Sequence, residues 1–271
     1  MSGLNLDPVQ LDRYSRHIIM DDVGPEGQRR LLDADVLVVG AGGLGAPVIQ
    51  YLAAAGVGTL RVVDDDEVER SNLQRQIIHA DADVGRPKAE SAREYVEALN
   101  PDVDAHAHVE RLDQSNVDDH LDGVDFVVDC SDNFPTRYLV NDACALRGVP
   151  FSHAAIYRFE GQAITYEPGS ACYRCLFPEA PPEGTIPDCA TAGVLGILPG
   201  TMGCIQATEC VKGLLDYGDL LTGRLLFYDA ADMTFETVPV ETNPDCPVCS
   251  ENPDIDSVQE VEYAEGCAVS S

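Results

Sequence analysis

Positive charge is what this sequence has least of. Against 47 acidic residues stand 17 basic ones, of which only Lys88 and Lys212 are lysine, and the formal net charge is −30. Such a surface repels phosphate backbones and anionic bilayers, which excludes nucleic acid and membrane as general partners. The acidic excess runs through every segment, with arginine in place of lysine. That balance is expected of a protein adapted to high salt, an ordinary acidic protein being the alternative. A membrane-spanning run is also missing: Val48 to Val57 is too short and is broken by Gly56. Met1 to Arg16 lacks the basic and apolar stretches of a secretory signal, so a cytoplasmic location is expected. In that compartment ten cysteines point to thiol chemistry or metal rather than a disulfide framework. No internal repeat is visible.

What is present suits a folded domain. The chain has 271 residues, 45% of them hydrophobic, which is enough for a full core. Asp35 to Val39 reads as a buried strand, followed by glycines and an alanine-rich helix that Gly56 stops. Thr59 to Asp64 reads as a second strand and closes a βαβ unit. Pro87 opens a helix to Leu99, ended by Asn100-Pro101. Strands are expected over Val103–Val109 and Val124–Cys130, and a helix over Thr136–Arg147. This order predicts an α/β fold, Rossmann-like, with a mostly parallel sheet and helices on both faces. After Val149 the pattern turns to strands over Pro150–Ala155 and Gln162–Glu167, a Pro/Gly-rich loop over Pro178–Pro187, and a helix from about Met202 to Leu215. A hairpin of Arg224–Tyr228 and Thr234–Val240 follows. The expected organisation is a single unit over 1–250. Its nucleotide-binding half covers about 30–150, and its antiparallel, zinc-bearing half about 151–250. An acidic tail over 251–271 is expected to be disordered.

Gly40, Gly42 and Gly45 form G-x-G-x-x-G between a strand and a helix, where free amides and the helix dipole favour a phosphate. Asp64, ending the second strand, can accept from ribose hydroxyls. To this point an NAD-dependent oxidoreductase fits as well as any other nucleotide enzyme. The stretch Ser71-Asn72-Leu73-Gln74-Arg75-Gln76 and Lys88 add cations that a nicotinamide site does not need. A triphosphate attacked by a carboxylate does need them. The plain alternative for Lys88 is a solvated lysine at a helix start. Asp129-Cys130-Ser131-Asp132-Asn133 follows a parallel strand, where carboxylates suit Mg²⁺; a capped turn is the alternative.

Together with Arg13-Tyr14-Ser15-Arg16-His17, these motifs resemble the MoeB/ThiF adenylyltransferases of the ubiquitin-activating superfamily. The match covers roughly residues 8 to 250. With the acidic composition it is most similar to the archaeal branch that activates ubiquitin-like SAMP proteins. The resemblance implies roles for particular residues. Gly43 and Asp64 hold ATP; Asn72, Arg75 and Lys88 contact its phosphates, with Ser71, Leu73 and Gln74 of the same run among the nucleotide-binding residues; Asp132 binds Mg²⁺ beside Asn133. Arg16 reaches the partner's ATP across a homodimer interface. It further implies a small carrier protein ending in Gly-Gly as substrate and a separate protein as any sulfur donor. The products serve protein modification, tRNA thiolation or molybdopterin synthesis. Gly40-Ala41-Gly42 departs mildly from the commoner Gly-Leu-Gly opening.

Cys172-x-x-Cys175 and Cys246-x-x-Cys249 supply four thiolates, the set that closes a structural Zn²⁺ site, with a redox pair as the rival. Cys189 has no partner at metal-ligand spacing. From the residues alone it is a nucleophile or a small buried side chain; the resemblance matches it to the family's reactive cysteine, which would take the acyl group as a thioester. Cys130, Cys144, Cys204 and Cys210 read as packing, and Cys267 has no assignment. A zinc-stabilised scaffold without catalysis stays open beside the two enzyme readings.

Overall fold

The computed structural model describes residues 6–180 and 193–263. Among them eight strands form one sheet in the order β3-β2-β1-β4-β5-β6-β7-β8. These are β1 (Asp35–Val39), β2 (Thr59–Val63), β3 (Asp104–His108), β4 (Phe126–Asp129), β5 (Phe151–Tyr157), β6 (Glu160–Tyr166), β7 (Arg224–Asp229) and β8 (Thr234–Pro239). Strands β1 to β5 pair in parallel, whereas β5 to β8 pair antiparallel. The fold is therefore α/β and Rossmann-like, with an antiparallel extension of the same sheet.

Strand β1 shows why both faces are covered. Val36 and Val38 enter one core and Leu37 and Val39 the other, so the apolar run has no solvent face. The first core is completed by helices α4 (Gly45–Ala55), α5 (Lys88–Leu99) and α9 (Ile197–Leu215), through Ile49, Leu52, Ala92, Val96, Leu198 and Met202. The second uses α6 (Val117–His120) and α7 (Phe134–Arg147), through Val117, Leu139, Val140 and Cys144. The helices α1 (Pro8–Arg13), α2 (Ser15–Ile18) and α3 (Gly24–Asp33) precede the sheet, and α8 (Tyr173–Leu176) follows β6.

The chain leaves β1 for β2 and β3 on one side and returns to β4 on the other. That reversal opens a crevice at the carboxyl ends of β1 and β4, the place where such sheets bind ligands.

Two expectations need correction. Helix α9 begins at Ile197, not near Met202, because Pro199 sits in its first turn, where a missing amide costs nothing. The acidic tail is not disordered from Glu251: Val258 is buried, Tyr263 Oη donates to Asp142 at 2.8 Å, and the Gln114 amide donates to the Val258 carbonyl at 3.0 Å. Composition missed this because three anchoring contacts outweigh a polar average. Residues beyond 263 lie outside the described part, as do Cys189 and Cys267. Among the described residues no helix is long and apolar enough to cross a membrane.

Candidate active site

A cavity of about 370 Å³ fills the crevice. Its floor is the glycine loop. Gly40 has φ +97, and a Cβ on Gly45 would lie 2.0 Å from the Gly40 carbonyl oxygen, so neither position admits a side chain. The turn is held from two directions. The Ala41 amide donates to Asp64 Oδ2 at 2.7 Å, and the Asp66 amide donates to Asp64 Oδ1 at 2.9 Å. From the other side, buried His79 sits with Nε2 3.0 Å from the Ala41 carbonyl and Nδ1 2.9 Å from Ser91 Oγ. Burial holds His79 below its ordinary pKa. A neutral ring can donate from Nε2 to the carbonyl and accept at Nδ1 from the hydroxyl. Burial also pushes the Asp64 carboxyl up, opposed by nearby Lys88. Its remaining lone pairs are available to ligand hydroxyls.

Lys88 is not a solvated helix-end lysine. It is 6% exposed, lines the cavity, and its Nζ donates to Asp66 Oδ2 at 2.6 Å. It occupies the first position of α5, where the helix dipole disfavours a cation. Burial and dipole both work against a bare lysine there, so its charge is matched to an anion.

Of the run 71–76, Arg75 and Gln76 line the cavity, while Ser71, Asn72, Leu73 and Gln74 do not. The Asn72 side chain accepts instead from the Glu69 amide at 3.1 Å, closing its own turn. That bond uses Oδ1 and not the amide NH2 group of Asn72. Arg75 donates to the Ser71 carbonyl at 3.2 Å and adds a second cation. Gly43 borders the cavity as expected.

On the opposite wall, Asp132 and Asn133 both line the cavity. Asn133 caps α7 by accepting from the Thr136 amide at 2.9 Å. Asp132 is exposed and carries the free carboxylate of this loop. Asp129 is fully buried below it. It pairs with His153 Nδ1 at 2.8 Å and accepts from the Ser131 amide at 3.0 Å, so it shapes the loop rather than meeting a ligand.

The sequence reading missed Arg137 and named Gln76 only as the last member of the run 71–76. Arg137, one turn into α7, lines the cavity, lies 4.8 Å over the Phe134 ring and is almost buried. Arg137 Nε, Gln76 Oε1 and Ser131 Oγ belong to cavity-lining residues and are buried atoms without a hydrogen-bond partner among the described residues. Unpaired buried groups are costly, and three around one cavity mark where a polar ligand completes them.

Arg16 lies on α2, exposed, and is not part of this cavity.

The four cysteines do converge. Cys172, Cys175, Cys246 and Cys249 hold their Sγ atoms within 4.8 Å of one another. The close pairs are Cys172–Cys246 at 3.6 Å and Cys175–Cys249 at 3.3 Å, across the two knuckles, and none is oxidised. Tetrahedral zinc with Zn–S of about 2.3 Å asks for sulfur–sulfur distances of about 3.8 Å. The set fits a closed metal site, and it borders the second core rather than the cavity.

Residues 14–248 match the ThiF family. The chain belongs to that family. Among relatives of this ThiF protein, the SAMP-activating enzyme E1 of Haloferax volcanii is 68% identical, the alignment covering 98% of each chain. The sulfur carrier protein adenylyltransferase of Thermus thermophilus is 52% identical, over 90% of this chain and 92% of that one. The crystal structure of E. coli MccB with ATP has a TM-score of 0.74 at 22% identity, covering 88% of this ThiF chain and 73% of MccB. At that identity the likeness is one of fold.

Proposed function

We propose that this ThiF protein adenylates the C-terminal carboxylate of a small ubiquitin-like or sulfur-carrier protein ending in Gly-Gly. A carboxylate oxygen attacks the α-phosphorus of ATP, the bond to pyrophosphate breaks, and an acyl-adenylate forms. The observation that carries the reading is the grouping of Lys88, Arg75 and Arg137 around a glycine-floored cavity. Two anions must meet there and a third must leave, and fixed cations stabilise that charge. Asp132 is the residue that would hold Mg²⁺, which offsets phosphate charge; hard oxygen donors suit that ion. The four thiols would hold Zn²⁺ for structure, since four protein ligands leave no open position. The names of the Haloferax and Thermus relatives support the same substrate class. The test is ATP–pyrophosphate exchange with carriers ending in Gly-Gly. Exchange that depends on the carrier's terminal carboxylate supports the reading; tight nicotinamide binding without exchange would return the oxidoreductase.

We further infer that the working unit is a homodimer, with Arg16 completing the partner's site. An Arg16→Ala chain mixed with a Lys88→Ala chain then forms heterodimers with one intact site, about half the complement of a wild-type dimer. Exchange activity should reappear on mixing. Its absence from chains shown to exchange would reject the assignment.

Cys189, outside the described residues, is proposed as the thiol that receives the acyl group once adenylate has formed. AMP leaves as the thioester forms. Cys189→Ser should keep pyrophosphate exchange and lose the thiol-sensitive carrier adduct, as followed by non-reducing gels. Loss of exchange in a folded variant would mean that the residue shapes adenylation instead.

A further inference from the structure

A second cluster of metal-ligating side chains stands at the carboxyl end of β3, apart from the four cysteines. His108 ends the strand, Glu110 follows two residues later, and His120 closes α6. Both imidazoles address one carboxylate oxygen: His120 Nε2 lies 3.3 Å and His108 Nδ1 3.9 Å from Glu110 Oε1. The two rings are perpendicular with centroids 4.7 Å apart. Donor atoms of all three residues fall within 4.8 Å of one another.

Zinc bound by imidazole nitrogen and carboxylate oxygen at about 2.0–2.2 Å places its donors roughly 3.4 Å apart. The His120–Glu110 spacing meets this, the His108–Glu110 spacing is about half an ångström long, and the donor atoms of the two rings lie within 4.8 Å of each other. Glu110 can supply that movement, since its side chain is half in solvent, whereas His120 is buried and fixed. An ordinary ion pair needs one imidazolium and one carboxylate. Two imidazoles on one oxygen are a poor ion pair, because charging both sets like charges edge to edge. His106, on the same face of β3, is engaged with Asp104 at 3.1 Å and is not among the three donors.

We infer that His108, Glu110 and His120 form a second metal site, for a divalent first-row transition cation of the Zn²⁺ class. Two nitrogens and one oxygen suit such a cation, whereas Mg²⁺ and Ca²⁺ select oxygen. Three protein ligands leave at least one coordination position open, unlike the cysteine site. The site stands at the rim of the nucleotide cavity, because Glu110 also lines that cavity. The inference does not depend on the adenylation reading, since its readout is metal stoichiometry.

The experiment uses the full chain isolated with its cysteine site loaded, free of nucleotide, and in excess Mg²⁺ to occupy acidic surface. Titration with Zn²⁺, followed by calorimetry and by metal analysis after desalting, should show a second equivalent. Glu110→Gln and His108→Gln should each weaken that equivalent by at least roughly tenfold and leave the first in place. His120→Gln should remove it. If His120→Gln does not fold, as circular dichroism would reveal, the two rim variants decide. A single equivalent in the wild-type chain, or a second one indifferent to both rim variants, overturns the inference.

Discussion

Replacing Lys88 with alanine is expected to lower carrier-dependent pyrophosphate exchange by about 10²–10³-fold, or roughly 2.7–4 kcal/mol of transition-state stabilisation. The magnitude follows from where the ammonium sits. It is almost fully buried, lines the cavity, and its present partner, Asp66, has a side chain 68% exposed. An exposed carboxylate that loses its cation is solvated at little cost, so the fold should survive. A cation at a helix N-terminus contributes nothing to helix stability, which also favours survival. Loss of Lys88 removes a charge that opposes the burial-driven rise of Asp64, so Asp64 should titrate higher in the variant. Circular dichroism and thermal melting should therefore stay near wild type while exchange collapses. Near-normal exchange in the folded variant would return Lys88 to a structural pairing with Asp66. A folded protein with no exchange but unchanged ATP affinity would assign its effect to the transition state, not to the ground state.

The parts of this site that were legible in the sequence are those whose chemistry is local. Gly40 and Gly45 are needed by a single turn, and Asp64 comes at the end of the next strand, so pattern and spacing sufficed. Lys88 was legible as a rarity, but burial separated it from a surface lysine, and burial belongs to the fold. Asn72 was legible only as a member of the run 71–76; the fold adds that its Oδ1 closes a turn with the Glu69 amide. Arg137 and His79 were missed because neither has a motif. Arg137 reaches the cavity only because α7 starts at the edge of β4, and His79 matters because the chain brings it beneath Ala41. The one usable signal was the cap at Asn133: a helix starting there puts its first-turn residues against whatever binds the preceding loop. Position in a sheet such as this one arises from strand order, and strand order cannot be read from spacing.

Removing the metal from the four-cysteine site is expected to lower thermal stability by roughly 10 °C while leaving exchange at low temperature. Cys172 and Cys246 are 74 residues apart in the chain, so a metal joining them closes a long loop. By the chain-entropy relation for a cross-link, closing such a loop is worth about 4 kcal/mol, and a domain of this size shifts by about 2–4 °C per kcal/mol. The link also has a packing side. Cys172, Cys246, Val248 and Val258 belong to the second core, so the residues after Val240 are held onto the sheet by the same cluster. Without metal, four thiols remain crowded within 4.8 Å. Cys249→Ser, at a half-buried position, and Cys172→Ser, at a fully buried one, should both lose the metal and melt early. Adenylation should persist in the cold because none of the four lines the cavity. On warming, the nucleotide site should fail next through Tyr173. That residue follows Cys172, and Arg137 donates to its hydroxyl at 3.4 Å from the cavity wall. Metal analysis, melting and cold exchange on each variant form the test. A metal-free protein with wild-type melting would sink the structural role, whereas immediate loss of exchange in the cold would make the cysteine site part of the active site.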